Sequence, residues 1–478
     1  MRRIGRYEIV GLLGQGGMSV VYKVRLPLIQ KVEALKLFRP HPNLMALLGE
    51  EEIKKRFLAE ARIIASLRHP HIVDLKDFDQ VEGRPFFLMD YYCNNLGLLM
   101  GESYQLEQPS RKLPPDKALW YIRQTLEGLD RLHQAEIVHR DIKPFNLLIT
   151  DEDLVKISDF GLSRLRGEMM VTPSNLKVGS PYYAAPEQEE NPNLVDARAD
   201  LYAVGVVLYR LLLGFLPLEP LKKPSRFHDE LDKTWDDFLF RAMAPKREQR
   251  FNSAREMIGA LDELAKVWES GKDRICLEAE TGGNRYPMTD NGQGRRRSRP
   301  VKMGLTQARD YFGLDALWRP YRYSRKAFRL GKEQTIFDRT TNLVWQRAGS
   351  DFPLNRFQIQ GYLDQLNRTG LAGLSDWRLP TIDELLSILE PVSRRDESCI
   401  PPLFDRRKRS LWSADRRSYV SAWTVDAELG FVSHQDFDCY SFVRAVSSAR
   451  GGQDQNLNKA APQVNPAPKE ATRTKSPR

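Results

Sequence analysis

The sequence predicts an α+β chain with two folded units. Three observations carry this. First, apolar alternation around a glycine cluster near the N-terminus gives way to helix-period segments that run to Val267, so strands lead and helices follow. Second, composition breaks at Glu269, after which glycine, asparagine and arginine dominate as far as Val301. Third, a new apolar segment from Glu333 to Ser447 carries Trp345, Trp377, Trp412 and Trp423, and aromatics of that size anchor small irregular domains. A length of 478 residues exceeds what one ordinary core organises.

Composition narrows the class. Charged residues are 28% and the hydrophobic class 41%, as in globular proteins. Formal net charge is +10, but eleven Lys or Arg stand against two Asp or Glu between Gly292 and Gly331. The remainder is near balance, so nucleic acid is not an expected partner. Four cysteines, Cys93, Cys276, Cys399 and Cys439, form no CxxC pair. They predict neither a zinc site nor a disulfide framework. Cys399 and Cys439 are the two that could meet within one domain, with reduced thiols the default. Met1 to Tyr7 has no apolar core behind its arginines, unlike a signal peptide. The most apolar run, Leu201 to Leu218, is interrupted by Arg210 and flanked by Asp200 and Glu219. It reads as a buried helix and not a membrane segment, and a cytoplasmic location is expected.

Tyr7 to Val24 reads as strand, glycine turn and return strand, with backbone amides at Gly14, Gly16 and Gly17 able to approach phosphate. Ala34-Leu35-Lys36-Leu37-Phe38 is a strand with one lysine among apolar residues. Such a lysine usually snorkels at a sheet edge; just after a glycine hairpin, a phosphate partner is the better reading. Glu51 to Leu67 has helical periodicity, and Glu60 falls on its apolar side, where an ion pair with Lys36 would hold that lysine in place. Phe86 to Tyr92 is a strand. Asn94 to Asp116 reads as a polar loop, and Leu119 to His133 as a helix.

That helix delivers the chain to His139-Arg140-Asp141-Ile142-Lys143-Pro144-Phe145-Asn146. An acid, bases and an amide in so short a span suit phosphoryl transfer. Asp141 would orient and deprotonate a hydroxyl, Lys143 neutralise phosphate charge, and Asn146 hold a metal ion. Leu147-Leu148-Ile149 and Leu154-Val155-Lys156-Ile157 read as a hairpin. Asp159-Phe160-Gly161 follows, an acid before a glycine that could present a carboxylate to a metal-bound phosphate. Ala185-Pro186-Glu187 closes a loop containing Thr172, Ser174 and Ser180. Leu231 to Val267 looks helical throughout, and Arg250 could pair with Glu187.

Together these motifs resemble the protein-kinase family, specifically bacterial serine/threonine kinases of eukaryotic type, over Tyr7 to Val267. The resemblance implies a bilobal protein-kinase fold, with ATP and Mg²⁺ (or Mn²⁺) as cofactors and protein serine or threonine as acceptor. It implies that Gly14, Gly16, Ser19 and Val21 form the phosphate loop, Ser19 replacing the third glycine. Lys36 would contact the α- and β-phosphates and Glu60 would be its helix partner. Asp141 would be the catalytic base, with Asn146 and Asp159 as metal ligands and Lys143 typical of serine/threonine specificity. Leu13, Val21, Ala34 and Leu148 would enclose adenine. Met89 would stand as gatekeeper before a hinge of Asp90, Tyr91 and Tyr92. Thr172 and Ser174 would be candidate phosphosites read by Arg140. Ser180 stands where threonine is usual. The alternative is a nucleotide-sensing scaffold without turnover.

Beyond Val267, residues 268–330 read as a basic flexible linker, Arg295 to Arg299 as a solvated run, and Asp310 to Phe328 as a docking helix or domain edge. Residues 331–448 read as a smaller α+β unit. Thr381 and Glu384 have capping-box spacing. Asp338-Arg339-Thr340, Leu343 to Gln346, Asp376 to Glu384, Trp412-Ser413, Ala422-Trp423 and Val443 to Val446 resemble the bacterial domain of unknown function at the C-terminus of collagen-like adhesins. That resemblance implies a C-type-lectin-like fold and a regulatory or recruiting role, with a ligand or protein as its partner. Asn342 replaces its usual glycine. Residues 449–478 lack apolar periodicity and are expected to be disordered.

Overall fold

Alternating burial along the first strands follows from their apolar pattern, and the computed structural model shows how they assemble. It describes residues 3–102, 107–160, 164–165, 182–191, 195–217, 220–278, 288–289, 296–391 and 398–448. Strands β1 (Arg3–Ile4), β2 (Tyr7–Gln15), β3 (Ser19–Arg25), β4 (Val32–Phe38), β5 (Leu75–Val81) and β6 (Arg84–Asp90) form an antiparallel sheet, with β4 between β3 and β6. Helix α1 (Pro42–Leu48) precedes α2 (Glu50–Ser66), whose three leading glutamates suit a helix N-terminus. Ile53, Phe57, Glu60, Ala61 and Ile64 on α2 are buried, as its periodicity predicts.

The second lobe is mostly helical. Asn94 to Asp116, expected as a loop, contains β7 (Asn94–Asn95) and α3 (Leu96–Met100). Asn95 caps α3, its Oδ1 accepting from the Leu98 amide at 2.9 Å, and Leu96 and Met100 are buried. Helix α4 (Pro115–Gln134) leads through β8 (Ile137–Val138) to the hairpin of β9 (Leu147–Ile149) and β10 (Val155–Ile157). β11 (Arg164–Leu165) pairs with β8. α5 (Pro186–Glu190) and α6 (Arg198–Leu213) follow. Arg210, the charge inside the apolar run, is fully buried in α6. It is paired with Glu102 at 3.1 Å, an interior ion pair. Among the described residues no helix is long and apolar enough to cross a membrane.

Leu231 to Val267 is not one helix. It divides into α7 (Lys233–Ala242) and α8 (Ala254–Glu278), with a 3₁₀ turn at Arg247–Gln249 between them. Pro245 stands in the break, where it cannot continue a helix. The break turns Arg250 back onto Glu187 in a bidentate pair at 2.7 and 2.8 Å.

β12 (Met288–Thr289) pairs with β13 (Tyr323–Ser324), and α9 (Leu305–Tyr311) lies between them in sequence. β14 (Phe328–Leu330), β15 (Thr335–Asp338) and β16 (Leu343–Gln346) form a sheet that β20 (Val446–Ser448), the last strand among the described residues, completes. α10 (Ile359–Thr369), α11 (Ile382–Ile388) and a second sheet of β17 (Ser410–Arg416), β18 (Ser421–Asp426) and β19 (Phe431–Asp436) fill the interval. Trp345, Trp377, Trp412 and Trp423 are all buried. Thr381 and Glu384 make the expected capping box. Asn342 adopts φ +60° in the β15–β16 turn. Asparagine tolerates that left-handed conformation better than most residues, which accounts for its standing in place of glycine.

Two expectations are corrected. The basic run is not all solvated from Arg296 onward. Arg297 grips the buried Asp415 at 2.8 and 2.9 Å and reaches Asp383 at 2.8 Å. Asp415 is fully buried and also accepts from the amides of Val301 and Ile382, so it requires a cation inside the fold. Ala308, Phe312, Leu314 and Tyr323 join the same core, so the C-terminal unit begins before Glu333. The cysteines differ too: Cys439 is bonded to Cys93, while Cys399 is a buried free thiol. Cys399 packs in the second unit's core, whereas Cys439 lies on the side facing the first.

Candidate active site

Strand period and register assemble one wall of a cleft. Alternate residues share a face of a strand, so Ala34 and Lys36 project together from β4. Register sets Val21 across from Lys36 on one side, and Met89 across from Ala34 on the other. Gly14 pairs with Val21 at the tip of the glycine hairpin, and the Gly16 amide donates to the Ser19 carbonyl at 2.9 Å to close its turn. A Cβ added at Gly14 would meet nothing within 4 Å. Leu13 is exposed, Ser19 and Ala34 are buried, and Leu148 on β9 and Met89 are half-buried. Asp90 ends β6, and half-buried Tyr91 and Tyr92 connect it to β7.

Lys36 is the electrostatic centre. Its Nζ donates to Glu60 Oε1 at 2.6 Å and to Asp159 Oδ1 at 2.9 Å. Lys36 and Glu60 are buried, while the Asp159 side chain remains 49% exposed toward the cleft. Burial pushes the Lys36 ammonium down, but Asp159 and then Glu60 outweigh it and keep the cation well above its ordinary value. The Lys36 charge in turn drops the Asp159 carboxyl to about 2. The pair is thus fully ionised near neutrality.

Asp141 faces this group from the other lobe. Lys143 Nζ donates to Asp141 Oδ2 at 2.7 Å, and Asn146 Nδ2 donates to the same oxygen at 3.0 Å and to the Asp141 carbonyl at 2.7 Å. The Asn146 NH₂ is thereby committed, which aligns its Oδ1 as an acceptor. Among the described residues no group of three or more His, Cys, Asp or Glu could hold a metal ion. Asn146 and Asp159 offer two oxygen ligands. That would suit a hard divalent cation that keeps several of its waters.

Arg140 and Asp159 both have left-handed backbone, φ +69° and +64°. Each such residue costs about 1–3 kcal/mol and persists only where its surroundings hold it. Asp200 does so for Arg140. Its two oxygens accept from the His139 amide at 2.9 Å and the Arg140 amide at 2.7 Å, and His133 Nε2 lies 2.9 Å away. Burial raises the Asp200 carboxyl, but the hydrogen bond and charge of His133 hold it below its ordinary value. Sequence reasoning gave Asp200 no role beyond opening a helix. The available signal was an acid in the first turn of the most apolar helix, a site fit for a carboxylate. Replacing Asp200 with Ala should strip both amides of their acceptor and lower folding stability by about 3 kcal/mol, with Asp200→Asn losing less. Denaturant unfolding at unchanged m checks this; a loss below about 1 kcal/mol would remove Asp200 from this role.

Thr172, Ser174, Ser180 and Gly161 lie outside the described residues.

Comparison with known proteins places the geometry in context. The family model described as protein kinase domain matches residues 7–269, and that described as Lcl C-terminal domain matches residues 334–447. A probable serine/threonine-protein kinase of Clostridium perfringens is 29% identical over 276 residues, covering 55% of this chain and 38% of its own. The serine/threonine-protein kinase PknB of Mycobacterium leprae is 31% identical over 314 residues, covering 60% and 48%. PrkC of Bacillus subtilis is 30% identical over 267 residues, covering 53% and 39%. The chain thus spans less than half the length of each of these relatives.

Proposed function

Because the chain belongs to the protein kinase domain family, we propose that it is a serine/threonine protein kinase that uses ATP and Mg²⁺. The observation that carries this reading is Lys36 held between Glu60 and Asp159 while Asp141 is held by Lys143 and Asn146. When bound, ATP with Mg²⁺ supplies the phosphoryl group and neutralises charge on it. The chain's own residues do the rest. Lys36 and the loop of Gly14, Gly16 and Ser19 bind phosphate, and Asn146 and Asp159 would hold the metal. Leu13, Val21, Ala34, Met89 and Leu148 exclude water around the base, with backbone groups of Asp90 to Tyr92 orienting it. Asp141 orients the acceptor hydroxyl and takes its proton, and Lys143 steadies the developing negative charge. Thr172 and Ser174 remain the candidate phosphosites. We read residues 7–267 as the kinase domain, the segment from Arg297 to 448 as the lectin-like regulatory or recruiting unit with the connection ahead of it, and 449–478 as a tail.

The test is incubation of the full chain with labelled ATP, Mg²⁺ and a general protein acceptor. Phosphoamino-acid analysis should recover label on serine or threonine and none on tyrosine. No incorporation above a heat-denatured control would overturn the reading.

A further inference from the structure

The C-terminal unit lies across the outside of the segment that joins the two lobes, and β19 acts as the strut. At about 3.4 Å per residue its six residues reach some 20 Å. At one end, Asp436 and the following Asp438 take Lys23 of β3 at 3.0 and 2.9 Å. At the other, Glu428 in the turn before β19 takes Lys117 of α4 at 3.0 Å. Lys23 and Lys117 are buried, while Asp436, Asp438 and Glu428 keep part of their surface in water, so these are half-buried pairs. Between them, Phe431 packs into the first unit's core and lies under the Arg111 guanidinium at 3.7 Å. One rigid element therefore holds both lobes. The bond between Cys93 and Cys439 fastens it directly beside Tyr91 and Tyr92, the proposed hinge, across 346 residues of sequence.

We propose that the C-terminal unit is a strut that sets the angle between the kinase lobes, and that the Cys93–Cys439 bond is its latch. The inference rests on the kinase reading for its consequence, though not for its geometry. Latched, the strut holds the lobes in the arrangement where Lys36 joins Glu60 and Asp159. A small dithiol opens the latch by exchange. It gives two electrons and two protons to the two sulfurs, which become thiols, and is itself oxidised to a cyclic disulfide. A low-molecular-weight disulfide closes it by the reverse transfer, leaving as two thiols. Half-buried Cys93 gives access to the bond. Cys399 does not compete, because burial pushes its thiol up to about 12 and it stays protonated. Once the latch is open only ion pairs and packing retain the strut, and salt weakens the ion pairs.

The full chain is prepared with the latch closed, then compared with dithiothreitol-treated chain, Cys439→Ser and, as a control away from the latch, Cys399→Ser. Peptide mapping without reductant should recover the 93–439 pair. Opening the latch should raise the Kd for Mg-ADP and the KM for ATP about tenfold, reflecting the lost preorganisation. It should also speed hydrogen exchange at residues 90–94, and both effects should grow with salt only in the open forms. Cys399→Ser should match the latched wild type and respond to dithiothreitol as it does. Absence of the 93–439 pair, or equal affinity and exchange in open and closed forms, would overturn the latch. If exchange and Mg-ADP affinity respond but no phosphate is transferred, the latch stands and the kinase reading falls. If transfer occurs while exchange and Mg-ADP affinity are the same in both forms, the reverse holds.

Discussion

Asp141→Asn should lower kcat for phosphoryl transfer by about 10²- to 10⁴-fold while moving the KM for ATP only a few-fold. A positioned base is worth a factor of that size. The substitution keeps side-chain volume and one acceptor oxygen, so Lys143 and Asn146, which donate at 2.7 and 3.0 Å, retain a partner. What disappears is the ability to take the hydroxyl proton. The groups proposed to bind nucleotide from Gly14 to Lys36 lie on β2 to β4, away from the loop that carries Asp141, and are untouched. A mutation that lowers kcat and kcat/KM together removes an interaction of the transition state, and one that raises KM alone removes uniform binding. Steady-state kinetics on a single purified protein acceptor separates the two. A kcat within tenfold of wild type would mean that another group receives the proton.

The residues that meet in the cleft were legible because each depends on a local period. Lys36 faces the cleft because strand period sets it with Ala34. Glu60 faces inward because it follows Phe57 by three residues on α2, and the two meet at 2.6 Å. Ordered motifs from the glycine hairpin to Asp159 added the sequence order of a known family. What sequence could not show were pairings decided by packing over long separations. Asp200 reaches back sixty-one residues to the His139 amide. Arg297 looked solvated because its partner, Asp415, is 118 residues away on another element. Reduced thiols are the default, and Cys399 is the cysteine that Cys439 could meet within one domain, yet the docking of the second unit on the first brings Cys439 to Cys93. The α7–α8 break was visible as Pro245, but the surrounding helical periodicity masked it.

Lys36→Met tests whether the cleft's charges act as a unit. Methionine preserves the apolar stem but removes the cation that two carboxylates share. Breaking a buried pair by deleting one partner costs about 3–5 kcal/mol, chiefly because the remaining charge is stranded. Glu60 is stranded fully, being only 2% exposed, while Asp159 can turn to water, so a value near the lower limit, about 3 kcal/mol, is expected. Phosphoryl transfer should fall by at least about 10²-fold, since one preorganised charge at the phosphates is lost. The two losses have different origins, and a second mutation separates them. In a Glu60→Gln background no buried anion is left stranded, so Lys36→Met should cost about 1 kcal/mol or less in stability while transfer stays low. Thermal or denaturant unfolding of the four proteins of this cycle measures the coupling. Additive stabilities would show that Lys36 and Glu60 do not support one another. Transfer by Lys36→Met close to that of wild type would show that the lysine holds the fold together and does not touch the phosphates.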